Sequence, residues 1–452
     1  MDDSRTAAAA PDPILTLGAV ALRDRLAAGE VSAVSVVRAC LAQIANREPE
    51  IQAWAWLDGD HALQQAERLD ALRKSGRPIG PLHGLPVGVK DIIDTADMPT
   101  ANGAALDEGR QPQEDSFVVE RLKSAGAVIM GKTVTTELAY MHPGKTRNPH
   151  DTAHTPGGSS QGSAAAVAAA MVPLAVGTQT AGSIIRPAAF CGVTGFKPTF
   201  GSIPRRGVLA QAPSLDTVGV FARGPQDAAL LADSLYGYDA ADTATRPIPM
   251  PRLLRTAQGN PPAPPVFAMI RPPGWDDADP DLHAAFDELA ETLGERAFTF
   301  TLPAPFDGAE TARSRIQLAE MARCLHAYAN EAPDRLGPET RTAIERGNTI
   351  LARDYLSALD WREVLYSGLE QIFERCNAIL CPAAPGPAPR DLSTTGDPVF
   401  NGLWTFCGTP SVTLPLLTAQ NGLPMGVQLV GPRGEDARLM RTATWLFDWI
   451  GA

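Results

Sequence analysis

From Thr152 to Ile185 the chain carries no Asp, Glu, Lys or Arg. A soluble protein rarely leaves so long a stretch uncharged unless it threads the interior. Pro156-Gly157-Gly158-Ser159-Ser160-Gln161-Gly162-Ser163 opens the segment, and Gly177-Thr178-Gln179-Thr180-Ala181-Gly182-Ser183 closes it. Between these glycine-rich turns, the apolar run Ala164–Val172 reads as a buried helix. It is far shorter than the ~20 residues of a membrane span, and Pro156 and Pro173 flank it. The segment therefore predicts serine hydroxyls and bare backbone N–H groups held in a dry core. Nucleophilic hydrolysis needs both.

Composition narrows the choice of partners. A formal net charge of −12 over 452 residues argues against nucleic acid, because phosphate binding needs a basic face. Cys40, Cys191, Cys324, Cys376, Cys381 and Cys407 follow neither metal-ligand nor disulfide-framework spacing. They fit reduced thiols in a cytoplasmic protein. The acidic start Met1–Arg5 lacks the order of a secretory signal, and only Ala7–Ala10 is low in complexity. No membrane partner is expected, and the state expected is monomer or homodimer.

Helix and strand signals alternate along the chain, which predicts an α/β fold with a mixed sheet covered by helices. Gly18–Ala28 reads as a helix stopped by Gly29, Ser32 as the cap of the next, and Asp60 as the opening of a third that runs to Lys74. Strands are expected at Ala53–Leu57, Val87–Lys90, Ala127–Met130, Ala378–Cys381, Ser411–Leu414 and Gly426–Val430, with a closing helix over Asp436–Trp449. Four segments of one domain follow: a helical 1–80, a core 81–222, a variable helical pocket region 223–365, and closing strands and helix 366–452.

Two motif matches lack their structural context. Gly126–Thr133 fits the phosphate-loop pattern, but Ala127, Val128, Ile129 and Met130 want to be a strand rather than a phosphate cradle. Gly158-Ser159-Ser160-Gln161-Gly162 fits the nucleophile elbow that would make Ser160 the nucleophile of an esterase. An irregular loop precedes it, however, and only His283 and His326 lie downstream. Lys90 sits among apolar residues and has two readings. It is either a strand-end lysine paired with Asp91 or a desolvated base that serves a serine. Ser183 follows small residues whose N–H groups can converge on an anion.

Taken together, Gly84–Asp91, Gly131–Ala139, Arg147-Asn148-Pro149, Pro156–Ser163, Gly177–Pro198, Ser214–Gly219 and Gly422–Gly431 resemble the amidase signature family. The resemblance implies a single large domain with a twisted mixed sheet of about eleven strands sandwiched by helices. It also implies a catalytic triad of Ser183 as nucleophile, Ser159 (after a cis peptide) as proton relay and Lys90 as base. The backbone of Thr180, Ala181, Gly182 and Ser183 would form the oxyanion hole, with no metal or organic cofactor.

Three departures from the family's common pattern stand out. Gln179 replaces an acid, Ala181 replaces a glycine, and Arg186 lies one place later than usual. Tyr140, Met141 and Gly158 are candidate pocket residues, with Pro204–Pro213 and the 223–365 region completing the pocket. The activity expected is hydrolysis of the C–N bond of a small amide, anilide, carbamate or urea. The alternative is the transamidation subunit of an aminoacyl-tRNA amidotransferase, which works with partner chains.

Overall fold

The computed structural model describes residues 12–451, so Met1–Arg5 and Ala7–Ala10 lie outside the described residues. Local chemistry sets the first helices. Ala19–Ala28 stops at Gly29, whose φ of +75° lets its N–H return to the carbonyls of Arg25 and Leu26. Ser32 caps Ala33–Ile51 in a reciprocal box with Ser35. The next helix begins slightly earlier than predicted, at Gly59, because Asp58 rather than Asp60 accepts the His61 N–H.

Eleven strands form one mixed sheet. In chain order they are β1 (Trp54–Leu57), β2 (Pro86–Lys90), β3 (Val128–Thr133), β4 (Leu174–Gln179), β5 (Thr194–Lys197), β6 (Thr217–Ala222), β7 (Phe267–Ile270), β8 (Ala297–Phe300), β9 (Ala378–Pro382), β10 (Ser411–Thr418) and β11 (Pro424–Val430). Across the sheet the order is β1-β3-β2-β4-β6-β5-β10-β11-β9-β7-β8. The triplet β3-β2-β4 is parallel, whereas β4, β6, β5, β10, β11 and β9 pair antiparallel. The region 223–365 is not purely helical, since it supplies β7 and β8. Each of these is only four residues long, too short for a periodic signal.

The charge-free segment lies in the interior, but its helix is earlier than the apolar run predicts. It spans Gln161–Ala168, and Ala170 then turns the chain at φ +55° into β4. Gly162 lets this helix dock: a Cβ there would lie 2.1 Å from the Ala53 carbonyl oxygen and 2.4 Å from the Val134 nitrogen. β3 runs past its predicted end through Lys132 and Thr133, so neither residue leaves the strand. Gly131 makes this possible, because a Cβ there would sit 2.4 Å from the Trp56 carbonyl oxygen on β1. The phosphate-loop match is therefore strand interior, and Lys132 spends its ammonium on Ile93 O, Thr100 Oγ1 and Asp91.

Candidate active site

The parallel strands β2 and β4 end side by side, and in open α/β sheets ligands bind beyond such carboxyl ends. Lys90 is the last residue of β2 and is wholly buried. Its Nζ lies 2.7 Å from Ser159 Oγ and 2.8 Å from Thr178 Oγ1. Asp91 is not its partner, because that carboxylate faces Lys132 at 3.4 Å. Burial holds the Lys90 amine well below the usual lysine range, with the field of Asp216 pulling the other way. Asp216 is itself raised by burial and accepts from Thr180 Oγ1 and from the Gln211 and Ala212 amides.

Ser159 follows a cis peptide from Gly158 and is 1% exposed, whereas Ser183 is 9% exposed. Ser183 lines a cavity of about 240 Å³ together with Thr180, Ala181 and Gly182. Among the described residues, the N–H groups of these four residues donate to no acceptor of the chain. Lys90 and Ser159 form a buried pair, Ser183 reaches the cavity among its unpaired amides, and among the described residues no hydrogen bond joins Ser183 to Ser159.

Gln179 uses both ends of its side-chain amide in buried hydrogen bonds. Its Oε1 accepts the Ile184 and Ile185 N–H groups at 2.8 and 3.0 Å, and its Nε2 donates to Thr405 Oγ1. An amide oxygen supplies the same acceptor as a carboxylate here, without the charge. Ser160 is buried and tied to the Thr178 peptide, donating to its carbonyl and accepting its N–H. Its hydroxyl therefore locks the Thr178 main chain to the start of the Gln161–Ala168 helix. Cys191 donates weakly to Pro156 O, and burial pushes its thiol far up.

Tyr140 and Met141 line the Ser183 cavity, as do Gln211 and residues of 223–365 such as Arg313, Gln317 and Leu318. Gly158 does not line it. Its carbonyl accepts from Arg186, and a Cβ would meet Thr395 at 2.7 Å. Sequence reasoning missed Thr178, Asp216, Asp397 and the placement of Arg186. Thr178 and Arg186 lie within Gly177–Pro198 and Asp216 within Ser214–Gly219, stretches that carry the family resemblance, whereas Asp397 lies in none. Among the described residues no cluster of His, Cys, Asp or Glu is arranged to hold a metal, and no helix is long and apolar enough to cross a membrane.

Comparison with known proteins gives a consistent picture. The family model described as Amidase matches residues 35–440. The glutamyl-tRNA(Gln) amidotransferase subunit of Rhodopirellula baltica is 35% identical over 92% of this chain and 93% of its own length. The subunit of the same name from Thermobifida fusca is 34% identical over 94% of each. Among solved structures, one described as a vestigial protein complex revealing the origins of an s-triazine catabolic enzyme superposes with a TM-score of 0.88. It is 30% identical, over 96% of this chain and 98% of that one. Native peptide amidase from Stenotrophomonas maltophilia gives a TM-score of 0.84 at 28% identity, over 97% and 98%.

An eleven-stranded α/β enzyme that acts on C–N bonds is the class these observations define. The chain belongs to the amidase signature family.

Proposed function

We propose that the chain cleaves the C–N bond of a small amide through an acyl-enzyme on Ser183. The observation that carries this reading is the 2.7 Å contact of buried Lys90 with Ser159, alongside a Ser183 that lines the cavity. Neutral Lys90 donates one N–H to Thr178 Oγ1, which turns its lone pair toward the Ser159 hydroxyl. As Ser183 Oγ attacks the carbonyl carbon, its proton passes to Ser159, and the Ser159 proton passes to Lys90. The amides of Thr180–Ser183 receive the negative oxygen. The proton then returns through Ser159 to the departing nitrogen, the C–N bond breaks, and water later cleaves the ester by the reverse relay.

Similarity to curated relatives favours a second reading, in which the same bond cleavage serves an amidotransferase assembly. Those relatives are named as subunits, and they cover nearly the whole chain at up to 35% identity. On that reading a partner protein completes the reaction. Purified chain incubated alone with a simple arylamide separates the two. Steady release of arylamine supports the hydrolase, whereas turnover only with added partner chains supports the amidotransferase reading.

A further inference from the structure

The turn Thr180–Ser183 joins β4 to the helix Ile185–Cys191, and a buried chain of hydrogen bonds ties it in place. Gln179, the last residue of β4, is 1% exposed, and Thr405 in the short helix Gly402–Phe406 is 2% exposed. Gln179 Nε2 donates to Thr405 Oγ1 at 2.9 Å, and Thr405 Oγ1 donates to Ala181 O at 2.7 Å. At the other end of the same side chain, Gln179 Oε1 accepts the Ile184 and Ile185 amides just past the turn. Among the described residues no other donor reaches Ala181 O.

The direction of every bond in this chain is forced. Backbone amides only donate, so the end of Gln179 that meets them is its oxygen, and the end at Thr405 is its NH2 group. Thr405 therefore accepts from Gln179, and its single proton is left for the Ala181 carbonyl, which can only accept. In a planar trans peptide the C=O and N–H point to opposite sides. Tying Ala181 O to Thr405 thus turns the Gly182 N–H away from Thr405, and that N–H donates to no acceptor among the described residues. The next peptide is held separately, because Gly182 O accepts the Arg186 amide. An ionised acid at position 179, the residue type common there in the family, has acceptors and no donor. It would draw the Thr405 proton to itself and leave Ala181 O unheld.

We propose that Gln179 and Thr405 are positioning residues that aim the Gly182 N–H at the substrate oxygen, and that this aim depends on a hydrogen-bond donor at position 179. The inference rests on the acyl-enzyme reading and deepens it. Gly182 lines the Ser183 cavity, whereas neither Gln179 nor Thr405 does, so neither side chain touches substrate. What they support is felt only as the oxygen becomes negative. Their loss should therefore lower kcat and leave KM nearly unchanged.

Variants of the full chain, assayed on a simple arylamide, test this. Thr405→Val keeps the shape of the side chain and removes the hydroxyl. Its kcat should fall about 10- to 100-fold with KM within about threefold of wild type, the cost of one misaimed oxyanion donor. Thr405→Ser, which keeps the hydroxyl, should return kcat close to wild type. Gln179→Glu, compared with wild type at about pH 9 where the introduced carboxyl is ionised, should lose a similar factor. The double variant should be no slower than the slower single one, because both changes act through the one Ala181 carbonyl. Fluorophosphonate labelling of Ser183 sets a phosphoryl oxygen against the same amides without amide turnover, so its rate should fall in step. If Thr405→Val does not fold, Gln179→Glu and the labelling rates decide. Wild-type kcat in Thr405→Val, a loss that Thr405→Ser does not relieve, or losses that multiply in the double variant overturn the inference and leave the hydrolase reading standing. Slowed labelling in variants of a chain that cleaves no amide by itself supports the positioning role and counts against the hydrolase.

Discussion

Each serine of the site has a different reach, and the distances rank their mutants. Ser183 alone opens to the cavity, so Ser183→Ala should abolish both turnover and fluorophosphonate labelling. Ser159→Ala breaks the bridge to Lys90 and should depress amide cleavage more than ester cleavage, since an amine needs protonation to leave. Ser160→Ala removes two bonds to the Thr178 peptide, which predicts a stability loss of about 1–3 kcal/mol with a modest rate change. A fully active Ser159→Ala variant alongside an inactive Ser160→Ala would shift the proton path by one residue. On the proposed mechanism Lys90 should set the pH dependence. Its amine is lowered by burial and must be neutral to accept a proton, so kcat/KM should rise with pH through its depressed pKa. In Lys90→Ala that acid limb should disappear along with several orders of magnitude of rate, because the residues act as a unit. An unchanged pH profile in the variant would remove Lys90 from the role. The two serine turns and the lysine were legible in the sequence because each sits in a local motif. Thr178, Asp216 and Arg186 also lie in motif stretches, but what each one touches follows from strand pairing and helix phase, which a motif does not record.

At the scale of elements, the glycines do more than permit turns. Gly162 brings the Gln161–Ala168 helix against the main chain at Ala53 and Val134, and its own N–H donates to Val134 O at 2.9 Å. Both neighbours are backbone, so they cannot swing aside as a side chain would. Gly162→Ala should therefore cost about 3 kcal/mol or more, near the upper end for overpacking, and should displace Ser159 and Ser160 just upstream. Gly259→Ala is the matched control, because its nearest neighbour is a carbonyl oxygen at 3.4 Å and no left-handed φ is involved. Thermal unfolding and arylamide turnover read both. If the two variants behave alike, the close approach at Gly162 carries no weight. Element boundaries were legible where a cap announced them, as at Gly29 and Ser32. They were misread where packing overrode propensity. β3 continues through Lys132 because buried oxygen atoms receive its ammonium, and the Ala164–Val172 run divides because Ala170 must turn into β4.

Across the whole molecule, the sheet is laced with buried lysines that the composition gives no reason to expect in an acidic chain. Alternating helix and strand signals made an α/β sheet legible, but the strand order was not, because β4-β6-β5-β10 pairs segments separated in one case by more than two hundred residues. At the end of β5, Lys197 illustrates what that pairing does to a side chain. It is wholly buried, and its Nζ donates to the carbonyls of Pro198 and Thr409. Burial lowers its pKa to about 7, with Asp436 opposing the shift and Arg433 adding to it. The unfolded chain holds this lysine near its ordinary value of 10.5, so between about 7 and 10.5 the unfolded state binds a proton that the folded state does not. Stability from this group therefore rises with pH across that window and falls as pH drops toward 7, with a slope of about 1.4 kcal/mol per pH unit. Lys197→Met has no such titration. The wild-type minus Lys197→Met difference in unfolding free energy, taken from denaturant curves at pH 7.5 to 9.5, should climb steadily with pH. A flat difference would mean that Lys197 stays protonated in the fold, with its charge held by the two carbonyls and by Asp436 at the start of the closing helix.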